Sequence, residues 1–227
     1  MVINVHYNVL CGVNLDKEEF AAYVVRGASY LRTLFGDLDD LKPCTVEIFD
    51  ELNWIHGSGL LGLYLPHKRK MDLLYRNDKN DFLNTLVHEM NHQLLNERIN
   101  EPPRWLDEGL AQYHSIQQGN IIVGAVKLDK LLVISQAVKS HKIIRLEELL
   151  NNEDIFSEDL KSLAYAESWS FVHFLLDKRI FTHCIGKYTL SRTFITKSEI
   201  EKIEQLWFSR LNELFKIMYK CLGGLDG

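Results

Sequence analysis

Residues 86–95 read LVHEMNHQLL, two histidines four apart around a glutamate inside an apolar run. On a helix, residues i and i+4 project from one face about a turn apart, so His88 and His92 can both offer imidazole nitrogens to one ion at roughly 2.0–2.1 Å. Glu89 is rotated about 100° from His88. It can reach a water on that ion without occupying a coordination position, which is the division of labour in the H-E-x-x-H zinc motif. The plainer alternative is a buried helix with incidental histidines. That alternative leaves three polar side chains to be desolvated without partners, whereas a divalent ion partners all three.

The apolar period around the motif, Phe82, Leu83, Leu86, Val87, Met90, Leu94 and Leu95, predicts a helix from Asp81 that ends before Asn100-Glu101-Pro102-Pro103. The two prolines open a second helix, Arg104 to Gln118, with Trp105, Leu106, Leu110 and Tyr113 in period and Gly119 as its left-handed cap. Upstream, residues 2–10 read as a strand and residues 16–34 as a helix. Residues 45–49, 60–65 and 71–75 read as strands, the last two joined by a solvated turn at His67-Lys68-Arg69-Lys70. Downstream, residues 126–139, 146–150, 162–177 and 198–221 read as helices, and the terminal GGLDG as a frayed end. The fold class is α+β: one domain over 1–227, with an N-terminal mixed α/β lobe carrying a small sheet over about 1–100 and a mostly helical lobe over about 101–227.

With 46% hydrophobic and 25% charged residues, the 227-residue chain is expected to be ordered and to bury a sizeable core. A net charge of −5 offers no field to gather phosphate backbones or anionic lipid, so neither nucleic acid nor membrane is an expected partner. Cys11, Cys44, Cys184 and Cys221 form no C-x-x-C pair and read as reduced thiols. No basic n-region with a long apolar run opens the sequence, and a cytoplasmic location is expected.

Two imidazoles leave a catalytic zinc one protein ligand short, so a further ligand is expected on a second element. After His88, Glu89 and His92 the sequence continues Trp105-x-x-Glu108-Gly109-x-Ala111. This combination resembles the gluzincin metallopeptidases, the broad thermolysin and aminopeptidase N group, and among them the compact peptidase MA-like branch. The resemblance is motif-specific over Asp81 to His114 and looser to Asp177. It implies a zincin-like fold and one Zn2+ held by His88, His92 and Glu108. Glu89 would be the general base acting on a metal-bound water. Gly109, without a side chain, would let the second helix come close enough for Glu108 to reach the ion. The glycine-rich motif that grips a free α-amine in aminopeptidases is absent, which favours an endopeptidase.

A tetrahedral intermediate also needs a donor for its oxyanion. Within YAESWSFVHFLL, residues 165–176, Tyr165 is the candidate, the alternative being a tyrosine that only packs in an apolar helix. His173 on the same helix reads as a satisfied buried imidazole. His114 reads as a surface residue or an outer partner of the site, and Asp107 or Gln112 as a group that orients the imidazoles. The resemblance implies that an edge strand holds the peptide substrate in extended form. Gly59 to Tyr64 is the candidate, with Gly62, Leu63 and Tyr64 against the substrate; the glycines allow close backbone approach or mark a bulge. The expected function is zinc-dependent peptide hydrolysis. Two rivals stay open: a zinc-containing binding module of the same fold without turnover, and a zinc hydrolase of a non-peptide amide or ester. The sequence does not specify the oligomeric state.

Overall fold

The structure is a computed structural model that describes residues 5–9, 13, 15–36, 38, 42–54, 56, 59–157, 159–177 and 196–223. The architecture is mixed α and β. Two compact units share the chain: one comprises Met1–Pro102 and His114–Val123, the other Pro103–Tyr113 and Gly124–Gly227.

In the first unit β1 (Val5–Val9) leads into α1 (Lys17–Phe35), which starts where the Asp16 carboxylate accepts the Glu18 N–H at 3.0 Å. Strands β2 (Cys44–Phe49), β3 (Gly62–Leu65) and β4 (Lys70–Leu74) complete a sheet of order β1-β2-β4-β3. Its first three members are parallel, and β3 runs antiparallel to β4 at the margin. Helix α2 (Lys79–Arg98) follows, capped by the Asp78 carboxylate on the N–H groups of Asn80 and Asp81. One face of the sheet, through Val46, Ile48, Met71 and Leu73, packs with Phe20, Val24 and Leu31 of α1 and Phe82, Leu86, Val87 and Leu94 of α2. Gly27 is the point of close approach between these helices, since a Cβ there would stand 3.0 Å from the Met90 sulfur and 3.2 Å from Val87. On the opposite face of the sheet Asp72 is buried between His56 at 2.7 Å and Lys70 at 2.9 Å, and Lys70 also reaches Glu47 at 2.9 Å. The basic turn is therefore shorter than expected. Pro66–Lys68 form a 3-10 turn, Arg69 takes the left-handed conformation, and Lys70 belongs to β4.

The second helix also differs from expectation. α3 (Arg104–Ala111) stops well before Gln118, and His114–Gln117 (β5) and Asn120–Val123 (β6) form an antiparallel hairpin. The two-residue loop Gln118-Gly119 has φ of 49° and 75°, the double positive φ that suits the twist of a tight hairpin. Gly119 thus turns a hairpin and does not cap a helix. The hairpin packs on the first unit: Ile116 and Ile121 lie against its core, and the His114 ring sits 5.4 Å from that of Tyr30.

In the second unit α3 is followed by α4 (Leu128–Lys139), α5 (Leu146–Asn151), α6 (Lys161–Asp177) and α7 (Lys197–Cys221). α6 is buried nearly all round, the signature of a central helix. α3, α4 and α7 pack against it. α7 begins with a reciprocal capping box between Thr196 and Glu199. Glu204, buried on α7, receives the Arg145 guanidinium and the Leu146 N–H at the start of α5. Among the described residues no helix is long and apolar enough to cross a membrane. Cys44 is a buried free thiol pushed up to about 12 by desolvation, and Cys221 is exposed; Cys11, Cys184 and the last residues of GGLDG lie outside the described residues.

Candidate metal centre and active site

The HExxH residues stand mid-way along α2. His88 Nε2 and His92 Nε2 are 3.1 Å apart, with the rings nearly perpendicular at 81° and centroids 4.7 Å apart. Ligand atoms of His88, Glu89 and His92 all lie within 4.8 Å of one another. The imidazoles are half-buried and Glu89 is 4% exposed.

What fixes Glu89 is the marginal strand. The Tyr64 N–H donates to Glu89 Oε2 at 2.7 Å. A Cβ on Gly62 would fall 2.6 Å from Thr85 Cγ2, 2.8 Å from Glu89 Oε1 and 2.9 Å from Glu89 Cγ. Glycine at this position is therefore the condition for the carboxylate to lie where it does. The pairing explains the geometry. Leu74 N–H donates to the Leu61 carbonyl, so alternation makes Leu63 and Leu65 the residues that exchange bonds with β4. The backbone groups of Gly62 and Tyr64 then face away from β4.

Glu108 lies in the second unit, on α3. Its Oε1 accepts the Tyr165 hydroxyl proton at 2.9 Å, and Tyr165 O in turn accepts from the Arg104 guanidinium at 3.4 Å. Arg104 rests over the Phe156 ring at 5.1 Å, and the Tyr165 ring meets Phe156 edge-on at 5.8 Å. Burial, reinforced by the Glu108 charge, pushes the Tyr165 phenol up to about 12. The close approach at Gly109 is to α6, where a Cβ would stand 2.5 Å from Val172 Cγ2 and 2.6 Å from the Ser168 carbonyl. Gly109 thus seats α3 on α6, so that Tyr165 and Glu108 meet. Gln112 donates its amide to the Glu108 backbone carbonyl at 3.1 Å, within its own helix.

Of the other histidines, His173 is buried as expected: its Nε2 bonds the Gly124 carbonyl at 3.1 Å, and desolvation pulls its pKa down. His114 is 1% exposed and so is not a surface residue; Nε2 lies 3.4 Å from the Asn84 carbonyl. Arg104 was not singled out by the sequence, although its place four residues before Glu108 puts both on one helix face. Lys127 and Lys130 flank the start of α4, half-buried, and neither makes an ion pair among the described residues.

The sequence model of a family described as "Protein of unknown function (DUF1570)" matches residues 82–192, just under half of the chain, a span that contains His88, Glu89, His92, Glu108 and Tyr165. No curated protein matches the sequence.

Proposed function

We propose that the chain is a zinc-dependent metallopeptidase of the zincin-like fold, an endopeptidase rather than an aminopeptidase, with one Zn2+ held by His88, His92 and Glu108. The observation that carries the reading is the convergence of the two imidazole nitrogens to 3.1 Å beside a buried carboxylate. Two ligand nitrogens at tetrahedral positions around a zinc ion are roughly 3.3 Å apart, so the pair fits a shared ion. The third ligand rests on the W-x-x-E-G-x-A spacing. It is supported by the Tyr165 bond to Glu108, since a ligating carboxylate is commonly held by an outer hydrogen bond.

When bound, zinc supplies Lewis acidity, lowering the pKa of water and polarising a carbonyl. Glu89 takes the proton from the attacking water and hands it to the departing amine. The Tyr64 amide holds one carboxylate oxygen and so fixes the orientation of the group. Tyr165 has one proton, and in this arrangement it goes to Glu108; service to an oxyanion would require that bond to open. A peptide laid along β3 as an extra strand would meet the N–H and carbonyl of Gly62 and the carbonyl of Tyr64, the Tyr64 N–H being already committed to Glu89.

The test is Glu89→Gln, with zinc content measured alongside turnover of a peptide library. A peptidase keeps its zinc and loses about 10²- to 10⁴-fold in kcat, the usual weight of a general base. Equal zinc content in wild type and a His88→Ala, His92→Ala double variant would remove the metal site. Turnover of small esters with no cleavage of any peptide would favour the non-peptide hydrolase.

A further inference from the structure

We propose that His56 and Asp72 are positioning residues for Glu89: they clasp the segment entering β3 to β4, and so hold Gly62 and the Tyr64 N–H against the Glu89 carboxylate. The inference deepens the peptidase reading and rests on it only for the role of Glu89 as a base. Its structural basis lies entirely within the first unit.

Strand β3 has four residues and one neighbour, β4, so its own backbone bonds hold it weakly. Its place is nonetheless narrowly set, because Gly62 leaves no room for a Cβ beside Thr85 and Glu89, and the Tyr64 N–H meets Glu89 Oε2 at 2.7 Å. A slip of one residue along β4 would turn both positions to the other face of the sheet. At its exit the strand is fixed by the Pro66–Lys68 turn, where the Arg69 N–H donates to the Pro66 carbonyl at 3.1 Å. At its entry the fixing group is Asp72. Asp72 stands opposite Leu63, in a pair that exchanges backbone bonds, and its side chain points to the face of the sheet away from Gly62 and Tyr64. There the carboxylate Oδ2 accepts from His56 Nε2 at 2.7 Å. His56 precedes Gly62 by six residues. One residue of β4 thus grips β3 through its backbone and the approach to β3 through its side chain.

The grip is more than one bond. Lys70 Nζ stands 2.9 Å from Asp72 Oδ1 and 2.9 Å from Glu47. The His56 ring lies edge-on to Trp54 at 5.0 Å, and Trp54 edge-on to Phe49 at 5.8 Å, Phe49 being the β2 residue opposite Leu74. Asp50 Oδ1 accepts from the backbone and side-chain amides of Asn53 at 2.9 and 2.7 Å, which turns the chain after β2. A buried carboxylate is costly to leave short of donors. Without the imidazole, Asp72 keeps Lys70, which Glu47 shares, and water has to enter to supply the missing bond. Water gains that place by lifting the segment around His56. The displacement reaches Glu89 as loss of the Tyr64 bond, while His88 and His92 keep their places on α2.

His56→Gln and His56→Met remove the ring and are nearly equal in size, but only glutamine can donate to Asp72, so their difference isolates the bond. Amide hydrogen exchange of the full chain, below its melting transition, is read by NMR at Tyr64, with Ile48 in β2 and Met71 in β4 as references. In His56→Met, exchange at Tyr64 should quicken about tenfold, the weight of one hydrogen bond to a charged group, and at the references by less than about twofold. In His56→Gln, Tyr64 should stay within about threefold of wild type. On the peptide library, kcat should fall about tenfold in His56→Met at a zinc content equal to wild type. Added to Glu89→Gln, the same substitution should cost less than about twofold, since the group it positions is gone. A Tyr64 amide that exchanges alike in all three proteins overturns the inference, as does full turnover in His56→Met. So does a His56→Met protein that is unfolded, or whose reference amides quicken as much as Tyr64, because the pair would then hold the whole unit. If exchange follows expectation and wild type cleaves no peptide, the clasp stands and the peptidase reading fails.

Discussion

Replacing Gly62 with alanine adds one methyl group at the junction of β3 and α2, and the structure says what it meets. The new carbon would stand 2.6 Å from Thr85 Cγ2, 2.8 Å from Glu89 Oε1 and 2.9 Å from Glu89 Cγ. All three distances are shorter than carbon tolerates, so either β3 lifts from the helix or the Glu89 side chain rotates away. Overpacking of this kind costs about 1–3 kcal/mol. If Glu89 is what moves, its bond from the Tyr64 amide, 2.7 Å here, is lost as well, and a hydrogen bond to a charged group contributes about 1.5–3 kcal/mol. The two costs are alternatives in part, because rotation relieves the clash, so a net loss of about 2–3 kcal/mol is expected. For a unit of this size that corresponds to a fall in Tm on the order of 10 °C. The control is Gly59→Ala, whose Cβ would meet nothing within 4 Å. It should leave the melt within about 1 kcal/mol of wild type, or raise it slightly by restricting the unfolded chain. The assay is thermal denaturation by circular dichroism, with peptide turnover measured below the transition. Gly62→Ala should lose turnover even where it is fully folded, since the displaced group is the proposed base. A Gly62→Ala protein that melts and cleaves like Gly59→Ala would refute the claim that the missing side chain positions Glu89.

Tyr165→Phe separates the two roles of the phenol: if it chiefly holds Glu108, zinc affinity should fall about 10- to 100-fold, read by competition with a chelator, whereas loss of kcat at unchanged zinc affinity would instead identify the oxyanion donor. Glu167→Gln should stabilise the protein, increasingly so as pH rises. Glu167 is fully buried, its Oε1 accepts the Ile144 N–H at 3.1 Å, and Oε2 has no hydrogen-bond partner among the described residues, so desolvation holds its pKa well above the ordinary glutamate range. With the folded pKa above the unfolded one, the folded state keeps the proton longer. Stability is therefore greatest below about pH 4 and declines as pH climbs from there toward the folded value. Melting curves of the variant and wild type that shift in parallel over that range would contradict this sign.

The long helices that carry candidate residues were legible from their apolar patterns. α2 repeats apolar residues at helical spacing, α6 is a nearly continuous apolar run of helical length, and both lie close to their expected bounds. The hairpin was missed because its signal runs against its neighbourhood. Trp105, Leu106, Leu110 and Tyr113 carry a helical period up to the chain reversal, and Gly119 satisfies a helix stop as well as a hairpin turn. The contrary evidence is local: Ile116, Ile121, Ile122 and Val123 are β-branched residues flanking a two-residue Gln118-Gly119 loop. Periodicity also says nothing about polar residues on a covered sheet face. Asp72 alternates with Met71 and Leu73 as a solvent-facing residue would, yet it is 1% exposed because His56 and Lys70 close over it.

The same limit explains why the chemistry was only half readable. His88, Glu89 and His92 share one helix, so their proximity follows from 3.6 residues per turn and needs no tertiary knowledge. The anchor of Glu89, by contrast, is a backbone N–H on β3, a group carried by every residue except proline; only the side chain missing at Gly62 marks the place in the sequence. Arg104, Tyr165 and Glu108 depend in turn on how α3 seats on α6, and the residue that sets this is again a glycine, Gly109, pressed against Ser168 and Val172. At both points the candidate site residues identify themselves by type, while their placement is determined by the residue that has no side chain. In this chain the two glycines are thus as diagnostic of the site as the histidines, because each marks a contact distance that any larger residue would forbid.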